Sequence, residues 1–350
     1  MKLSIKTYLA FILLLLLGCS SRNQQDNLVV LDGSTMGTFY SVKIVREDLQ
    51  PISFIVDTVK SKIDSLLLTV NQQMSTYLED SEISRFNRYQ GRDWFPVSAD
   101  LAYVVKNALR VSELSHGTFD VTVGPLVNLW GFGPEDRQTL IPSKEEIIAR
   151  MKLTGYQNLS VRIDPPALKK TIPGIYVDLS AIAKGFGVDK VTGFLESLGI
   201  HNFIVDIGGE ISTRGTNYQG KIWKIGVSTP DEKMGIQKVI PLENESVATS
   251  GDYRNYFEKN GVRYSHTIDP RTGKPITHKL SSVTVICDTC MMADAFATAI
   301  DVMGPVEGYQ FAREQELAVF LIVRDATGFK EEMTRQFSEI LGVKNKEIKQ

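Results

Sequence analysis

The sequence predicts an α+β fold, built as one unit with two lobes. Helical and strand patterns are mixed along the chain without strict alternation, which favours α+β over a doubly wound parallel sheet. No linker rich in Pro, Ser or Gly, no low-complexity run and no repeat divides the chain after residue 27. The 350 residues are 43% hydrophobic and 23% charged, which excludes a disordered chain, a collagen-like fibre and a polytopic membrane protein.

The charge balance bears on the partners of the chain. Lys and Arg number 39 against 41 Asp and Glu, so the formal net charge is -2. Binding along a phosphate backbone usually requires an excess of basic side chains. We therefore expect no nucleic-acid partner.

The first 18 residues are typical of a secretion signal. Lys2 and Lys6 precede an apolar run over residues 9–17, which is too short to cross about 30 Å of hydrocarbon. The run ends before Gly18 and Cys19, and this junction resembles the lipobox of bacterial lipoproteins. We expect a signal peptide over 1–18, a lipid on Cys19, a polar tether over 19–27 and a folded domain over 28–345. An ordinary signal peptide with a coincidental cysteine is the alternative.

Three segments carry helix signals. Apolar residues recur at spacings of three and four over residues 51–70. Ser98 is placed as the N-cap of a helix that ends near Ser115. Ser143 and Glu146 fit a capping box.

Strand signals come from short runs rich in β-branched and aromatic residues. Six runs are predicted as strands, over residues 175–179, 203–207, 223–227, 262–268, 282–286 and 318–323.

Several familiar enzyme sites are excluded by their motifs. The pair Gly185 and Gly187 lacks the third glycine of a dinucleotide fingerprint, because Lys190 stands in its place. No G-x-x-x-x-G-K-[ST], H-E-x-x-H or G-x-S-x-G string occurs, and the four histidines are too few for a His-rich metal site. A Rossmann NAD enzyme, a P-loop NTPase, a zincin and an α/β-hydrolase are therefore not expected.

Cys287 and Cys290 are the cysteines that remain after Cys19. A single C-x-x-C is too little for a structural zinc site, which needs four ligands. In an oxidising compartment a local disulfide is favoured, ahead of two idle thiols and of a redox centre.

The segment 288–304 is predicted to be an Ala-rich helix that starts at Asp288 or Thr289 and stops at Gly304. Asp294, Thr298 and Asp301 lie on it at i, i+4 and i+7 and form one polar stripe. A carboxylate and a hydroxyl one turn apart can offer two oxygens to a hard cation. Alternatively, the stripe faces solvent or makes local hydrogen bonds.

Two further segments suggest chemistry. Asp178 lies where a predicted strand gives way to a helix, a place where free N–H groups attract anions, although Asp178 or Ser180 could merely cap that helix. His266 precedes an Asp-Pro turn that accounts for Asp269 and Pro270 but not for the histidine. His266 could be a base, a ligand contact or a core residue.

Weaker signals come from two glycine–acid pairs and one aromatic. Residues 117–120 and 208–210 each join glycine to an acid, which permits close approach of a ligand to the backbone. Tyr77 stands in a predicted loop, where it could stack on a flat ring.

Taken in order, these pieces resemble the ApbE-type FAD:protein FMN transferases. The resemblance covers nearly the whole chain after residue 27 and rests on eight motifs in order, at residues 35–38, 74–77, 118–126, 177–185, 206–209, 249–253, 266–270 and 293–298. The family fold is α+β, related to the tunnelling fold, with FAD in a cleft between two parts of one domain.

The resemblance implies roles for named residues. It implies that FAD is contacted by Met36, Tyr77, Thr118, Phe119, Asp120 and Asp178. It also implies that Mg²⁺ is bound by Asp294, Thr298 and the backbone carbonyl of Ala181.

The resemblance also implies a reaction: Mg²⁺-dependent transfer of FMN from FAD to a Thr or Ser hydroxyl of a partner protein, with release of AMP. His266, or else Asp178, would accept the hydroxyl proton. The implied partners are flavin-bearing subunits of membrane respiratory complexes with a D-G-x-[ST]-G-A-[ST]-like string. The expected location is the bacterial cell envelope, at the periplasmic face of the inner membrane. A metal-dependent FAD pyrophosphatase and a non-catalytic flavin-binding lipoprotein are the alternatives.

Overall fold

The computed structural model describes residues 27–46, 53–134, 141–230, 235–251, 256–259, 262–326 and 328–342. The predicted signal peptide, Cys19 and the tether up to residue 26 lie outside these residues, as does the start of the helix predicted from residue 51. In the described part of the chain, no helix combines the length and the apolarity that crossing a membrane requires.

The strands, numbered along the chain, are β1 Leu28–Thr35, β2 Thr38–Val45, β3 Phe95–Pro96, β4 Leu159–Ile163, β5 Pro166–Lys170, β6 Phe203–Ile207, β7 Glu210–Arg214, β8 Trp223–Ser228, β9 Ile236–Leu242, β10 Ser246–Ser250, β11 Tyr256–Lys259, β12 Val262–Ser265, β13 Ile268–Asp269, β14 Lys274–Pro275, β15 Leu280–Cys287, β16 Ala318–Arg324 and β17 Phe329–Met333. Eight of them form an antiparallel sheet in the order β1-β2-β6-β7-β10-β15-β16-β17. A smaller sheet has the order β3-β5-β4, and β8-β9, β11-β12 and β13-β14 are hairpins.

The helices are α1 Lys60–Met74, α2 Glu82–Arg88, α3 Ala99–Leu114, α4 Gly124–Leu129, α5 Lys144–Met151, α6 Ala183–Ser197, α7 Cys290–Glu314 and α8 Arg335–Ile340, with a π-helical stretch Phe54–Val59 before α1. Two predicted helix starts are confirmed: Ser98 accepts the Leu101 N–H at 3.2 Å, and Ser143 forms a capping box with Glu146.

The large sheet separates two apolar layers. On one face, β1, β2 and β6 pack on α1 and α6, and β15 and β16 pack on α7. On the other face, the β8-β9 hairpin and α8 cover the sheet, and Phe337 of α8 stacks on Phe320 of β16. One core cluster joins β15, α7, α3 and the small sheet. Sheet and helices therefore form one α+β unit, as predicted.

Two of the predicted strands differ in the structure. Residues 175–179 are extended but belong to no sheet, so that prediction is wrong. Their backbone groups bond outside any sheet: the Asn87 amide pairs with both the N–H and the C=O of Val177, at 2.8 and 2.9 Å, and the Asp178 N–H donates to the Val121 carbonyl at 2.8 Å. Residues 262–268 form β12 and β13, with a break at His266 and Thr267.

The predicted end of α7 and the predicted disulfide also differ. Gly304 breaks the helix with φ 78°, as the sequence suggested, but Pro305 starts a further helical stretch that ends at Glu314. Cys287 and Cys290 are free thiols, so the favoured disulfide is not formed. Cys290 is fully buried, and its Sγ faces the Val247 carbonyl of β10 at 3.8 Å.

Candidate functional site

The strand-to-helix corner, residues 177–185, presents an acid beside the start of α6. Asp178 accepts hydrogen bonds from the N–H and hydroxyl of Ser180, at 2.9 and 2.6 Å. The N-cap of α6 is Ile182, and no side chain caps it locally. The capping alternative for Asp178 and Ser180 is therefore wrong. The Ala183 N–H of the first turn donates to the Leu179 carbonyl at 2.8 Å, and the Gly185 N–H is available to another partner.

Asp294 of α7 is that partner. Its Oδ2 accepts the N–H of Gly185 at 3.0 Å, across 109 positions of sequence. Gly185 permits this approach, because a Cβ there would lie 2.4 Å from the Cys290 carbonyl oxygen. The structure therefore brings the predicted metal ligand of α7 against the corner.

Lys184 and Glu210 complete a buried charge cluster at this point. The Lys184 ammonium lies 2.5 Å from Glu210 Oε1 and 4.0 Å from Asp294 Oδ1. Glu210 follows the Gly208–Gly209 turn and is 3% exposed, and Asp294 is 5% exposed. Two carboxylates thus share one ammonium, which leaves the cluster one negative charge in excess when both are ionised.

Burial and mutual repulsion act on the titration of this cluster. Burial raises the pKa of Asp294, and burial with the charge of Asp294 raises the pKa of Glu210 to about 7, although Lys184 opposes both shifts. Burial alone would lower the pKa of Lys184, but the carboxylates of Asp294 and Glu210 outweigh it and raise that pKa. The cluster is therefore short of positive charge.

The oxygen atoms at this point suit a hard divalent cation. Glu210 Oε2 is buried and has no hydrogen-bond partner among the described residues. Thr298 is half-buried, one turn beyond Asp294 on α7. Within the described ranges, no three side chains of the His, Cys, Asp and Glu types converge on one point. A cation here would draw on one carboxylate with hydroxyl and carbonyl oxygens, a donor set that fits Mg²⁺.

Asp301 ties a second segment to α7. It is fully buried, and its Oδ2 accepts hydrogen bonds from Ser250 Oγ at 3.0 Å and Thr267 Oγ1 at 3.3 Å. The solvent-facing and local alternatives for the polar stripe are therefore wrong for Asp294 and Asp301. His266, which precedes Thr267 in the chain, is half-buried.

An aromatic wall, formed by Trp130, Phe132, Phe257 and Tyr264, lies beside His266. The rings of Phe132 and His266 have centroids 6.4 Å apart, and Phe257 stacks on Tyr264 at 5.0 Å. Tyr77 joins this wall, since its hydroxyl donates to the Phe132 carbonyl at 3.3 Å and its side chain is 66% exposed. Burial, and then the negative charge of Asp178, raise the pKa of Tyr77. Tyr77 thus contacts the wall at Phe132 and lies within electrostatic range of Asp178 at the corner.

The other residues predicted to contact FAD differ from the exposed Tyr77, because they are buried or packed against a helix. Thr118 and Phe119 are 1% and 2% exposed, and Asp120 is 7% exposed. Asp120 accepts hydrogen bonds from the N–H and hydroxyl of Thr122 and from the N–H of Tyr156. Met36, at φ 49° in the β1–β2 turn, packs its methyl group beside Gly187 of α6.

An open cavity of about 600 Å³ lies on the face of the large sheet that is opposite to α1 and α6. Outward-facing side chains of β1, β2 and β6 line it, namely Asp32, Ser34, Phe39, Ser41 and Asp206. The buried neighbours of these residues, Leu31, Tyr40 and Val205, belong to the core beneath α1 and α6. The cavity therefore does not contain the charge cluster.

The sequence did not indicate three parts of this arrangement. Lys184 lies inside a recognised motif but carried no assigned role, and the pairing of Lys184 with Glu210 has no local signal. The aromatic wall combines residues more than 120 positions apart. Only the clustering of aromatics at Trp130 and Phe132, and again in β11 and β12, could have pointed to it.

Fold and site together are those of an α+β enzyme, and comparison with known proteins identifies the family. The family model described as "ApbE family" matches residues 36–321. The chain is 48% identical to the FAD:protein FMN transferase of Vibrio cholerae over 94% of this chain and 96% of that protein. It is 38% identical to the Escherichia coli (strain K12) protein of the same name, over 94% and 95%. The chain therefore belongs to the ApbE family.

Solved structures agree with this assignment. The flavin transferase ApbE from Vibrio cholerae superposes with a TM-score of 0.83 at 46% identity, covering 89% of this chain and 98% of that one. The apo flavinyl transferase ApbE of Pseudomonas stutzeri gives 0.82 at 38% identity, covering 90% and 97%. The predicted family and α+β fold are confirmed, and the chain is an enzyme of the transferase class.

Proposed function

We propose that this chain transfers FMN from FAD to a Thr or Ser hydroxyl of a partner protein, with AMP as the leaving group. The observation that carries the proposal is the position of Asp294, a buried carboxylate held against the corner beside Lys184. In this proposal Mg²⁺ is bound by Asp294, Thr298 and the backbone carbonyl of Ala181. Bound there, a divalent ion would neutralise negative charge on the diphosphate of FAD.

The chain's own groups supply the rest of the electrostatics. The Lys184 side chain is 31% exposed, and its ammonium lies between two carboxylates that fix its place. The helices α6 and α7 both begin at this point, but their first-turn N–H groups at Gly185, Cys290 and Met291 are bonded to Asp294 and Asp189. Lys184 and a bound divalent cation would therefore supply the positive charge that a dianionic diphosphate requires.

In the proposed step, the acceptor oxygen forms a bond to the phosphorus of the FMN moiety, and the bond from that phosphorus to the bridging oxygen breaks. The bridging oxygen leaves with AMP. The acceptor hydroxyl loses its proton to His266, whose neighbour Thr267 donates to Asp301 of α7 at 3.3 Å. The chain positions, screens and accepts a proton, and no redox change occurs.

Flavin binding is proposed along the path from the corner to the aromatic wall. Tyr77 offers an exposed ring for stacking, within electrostatic range of Asp178. Met36 and the 118–120 segment are proposed as further contacts. Because the side chains of Thr118 and Phe119 are buried, this segment would meet FAD through its backbone.

The chain is further proposed to act as a lipoprotein, anchored through Cys19 at the periplasmic face of the inner membrane of a bacterium. Its proposed acceptors are flavin-bearing subunits of membrane respiratory complexes. The support is the junction at Gly18 and Cys19, with the polar stretch that follows it.

One incubation tests the function. The protein lacking residues 1–18 is mixed with FAD, Mg²⁺ and a peptide bearing the D-G-x-[ST]-G-A-[ST] string, and the products are read by mass spectrometry. A peptide that gains the mass of FMN supports the proposal. A matched peptide with Ala at the acceptor position should stay unmodified. Free FMN with unmodified peptide would make the protein a pyrophosphatase, and unchanged FAD would make it a carrier.

A further inference from the structure

The amino ends of α6 and α7 hold each other through two aspartates. The N–H groups of Cys290 and Met291, in the first turn of α7, donate to Asp189 Oδ1 and Oδ2 at 2.8 and 2.9 Å. Conversely, the N–H of Gly185, in the first turn of α6, donates to Asp294 Oδ2 at 3.0 Å. Each helix therefore supplies the cap that the other needs.

This exchange replaces the local caps. Thr289 is the N-cap residue of α7, but its side chain makes no capping hydrogen bond, and its buried Oγ1 has no partner among the described residues. The N-cap of α6 likewise lacks a side-chain bond. The free N–H groups of a helix start require acceptors, so the cap from the neighbouring helix carries this function in both cases.

The spacing within each helix makes the arrangement reciprocal. Gly185 and Asp189 are four residues apart on α6, and Cys290 and Asp294 are four residues apart on α7. On each helix, the first residue donates its N–H and the second residue, one turn later, accepts from the partner. The two helix starts pack directly against each other, since a Cβ added at Gly185 would lie 2.4 Å from the Cys290 carbonyl oxygen.

The geometry has a consequence for Asp294. Since Oδ2 is occupied by the Gly185 N–H, the carboxylate is fixed with Oδ1 toward Lys184, at 4.0 Å. The depth and rotation of α7 at Asp294 depend on where its first turn is held, and Asp189 holds that turn. A loss of the Asp189 contacts would free the end of α7 that carries Asp294.

We infer that Asp189 is a positioning residue for the flavin-transfer reaction: through the first turn of α7, it fixes the carboxylate of Asp294 in the orientation that binds the cation. The inference rests on the proposed function. Asp189 touches neither the cation ligands nor the proposed path of FAD, so its effect is expected on metal affinity.

The test compares Asp189→Ala and Asp189→Asn with the wild type and with Asp100→Asn. Asp100 is a suitable control because its carboxylate also contacts α6, through Lys190 at 3.1 Å, but at the surface. Mn²⁺ serves as the probe for metal affinity, by electron paramagnetic resonance. FMN transfer to the acceptor peptide is measured against Mg²⁺ concentration.

Asp189→Ala should weaken Mn²⁺ binding and raise the Mg²⁺ requirement about 10- to 100-fold, the range found for residues that orient metal ligands. At saturating Mg²⁺ the transfer rate should return to within about threefold of wild type, because the reacting groups are intact. Asp189→Asn keeps one acceptor oxygen, so its Mn²⁺ affinity and its Mg²⁺ requirement should lie between those of the wild type and of Asp189→Ala. If Asp189→Ala does not fold, Asp189→Asn carries the comparison. Asp100→Asn should match the wild type.

Amide hydrogen exchange at residues 290–296 separates positioning from mere stabilisation. Faster exchange with unchanged Mn²⁺ affinity would show that Asp189 only stabilises α7, and would overturn the inference. A transfer rate that stays low at saturating Mg²⁺, with normal Mn²⁺ affinity, would also overturn it. A wild type that binds Mn²⁺ but transfers no FMN contradicts the proposed function alone, since the Mn²⁺ affinities of the variants still test Asp189. A wild type that binds no Mn²⁺ overturns both.

Discussion

The loop around Asp120 and the corner around Asp294 both bury an aspartate, but they treat its charge differently. Asp120 receives three hydrogen bonds, from Thr122 and Tyr156, at 2.7 to 2.9 Å. Asp294 receives one N–H, from Gly185, and shares the Lys184 ammonium with a second carboxylate. The first carboxylate is satisfied within the fold, whereas the second is left with an oxygen for a partner that the fold does not supply.

Two lysines repeat this contrast. Lys170 is fully buried, and its ammonium donates to the carbonyls of Phe86, Asn87 and Ile175 at 3.0 to 3.2 Å. Lys184 is partly exposed and pairs with carboxylates. A charge that the backbone saturates serves stability, and a charge held open in a cluster serves binding. The side chains of Asp120 and Lys170 thus belong to the scaffold, even where the backbone of residues 118–120 is proposed to meet FAD, and the corner belongs to the proposed site.

The largest expected effect comes from Asp294→Asn. Asn keeps an acceptor for the Gly185 N–H but loses the charge that binds a cation, so FMN transfer should fall at least about 100-fold. Without metal, the free energy of unfolding should not fall, because the repulsion between Asp294 and Glu210 is removed. Peptide flavinylation and urea unfolding measure the two quantities. Undiminished transfer would show that the reaction does not need the Asp294 charge, and would contradict the difference drawn between Asp294 and Asp120.

Lys170→Met should have the opposite pattern of effects, lowering stability and leaving FMN transfer unchanged. Three buried carbonyls would lose their donor, which we expect to reduce the free energy of unfolding by about 3 kcal/mol. The folded fraction should transfer FMN at the wild-type rate. Urea unfolding with activity per folded molecule checks both statements, and a stable but inactive variant would place Lys170 in the site instead.

Asp120→Asn makes the same Asp-to-Asn change at the buried aspartate of the scaffold. An amide cannot accept from Thr122 and Tyr156 at once without turning its NH₂ group toward a donor, so about 2 kcal/mol of unfolding free energy should be lost. Flavin transfer per folded molecule should hold. If transfer fell as far as in Asp294→Asn while stability did not change, the distinction between scaffold and site would fail.

A pH dependence is expected at Asp189, which joins the two helices at the corner. Burial raises the pKa of Asp189 from 3.8 to about 6, with Asp294 adding to the rise, while the Met291 and Cys290 N–H groups and Arg214 oppose it. A folded-state pKa above the unfolded one favours folding while the group is protonated. This contribution is therefore complete below pH 3.8 and lost as the pH rises through about 6.

The measurement compares wild type with Asp189→Asn by urea unfolding from pH 4 to 7. The wild type should lose stability relative to the variant as the pH rises to about 6, and the difference should then stay constant. Groups that titrate in both proteins cancel in the difference. A difference that does not vary with pH would show that Asp189 is ionised throughout this range.

The sequence predicts those parts of the fold that local chemistry determines. The Ser98 and Ser143 caps, the interruption at Gly304 and five of the six strand regions have local signals, and the structure contains them, although residues 262–268 are split. Residues 175–179 look like a strand because they alternate apolar residues. Their backbone is instead paired with Asn87, and no local pattern announces a contact across 90 positions.

The site also contains features that local sequence predicts and features that it does not. The stripe of Asp294, Thr298 and Asp301 follows from helical spacing, and the burial of Asp294 and Asp301 confirms that these two carboxylates do not face solvent. The pairing of Lys184 with Glu210, the cap from Asp189 and the aromatic wall each join residues that are far apart along the chain. Their relation depends on how α6 and α7 meet, which composition and spacing do not encode.

The central claim is that a divalent cation lies between Asp294 and the diphosphate of a flavin nucleotide at the corner. The direct measurement is anomalous diffraction from crystals of the protein grown with Mn²⁺ and FAD. The account predicts a Mn²⁺ peak about 2.2 Å from an Asp294 carboxylate oxygen, near the Thr298 hydroxyl and the Ala181 carbonyl, and in contact with the FAD phosphates. A peak elsewhere with FAD bound, or FAD bound at the corner without any metal peak, would contradict it.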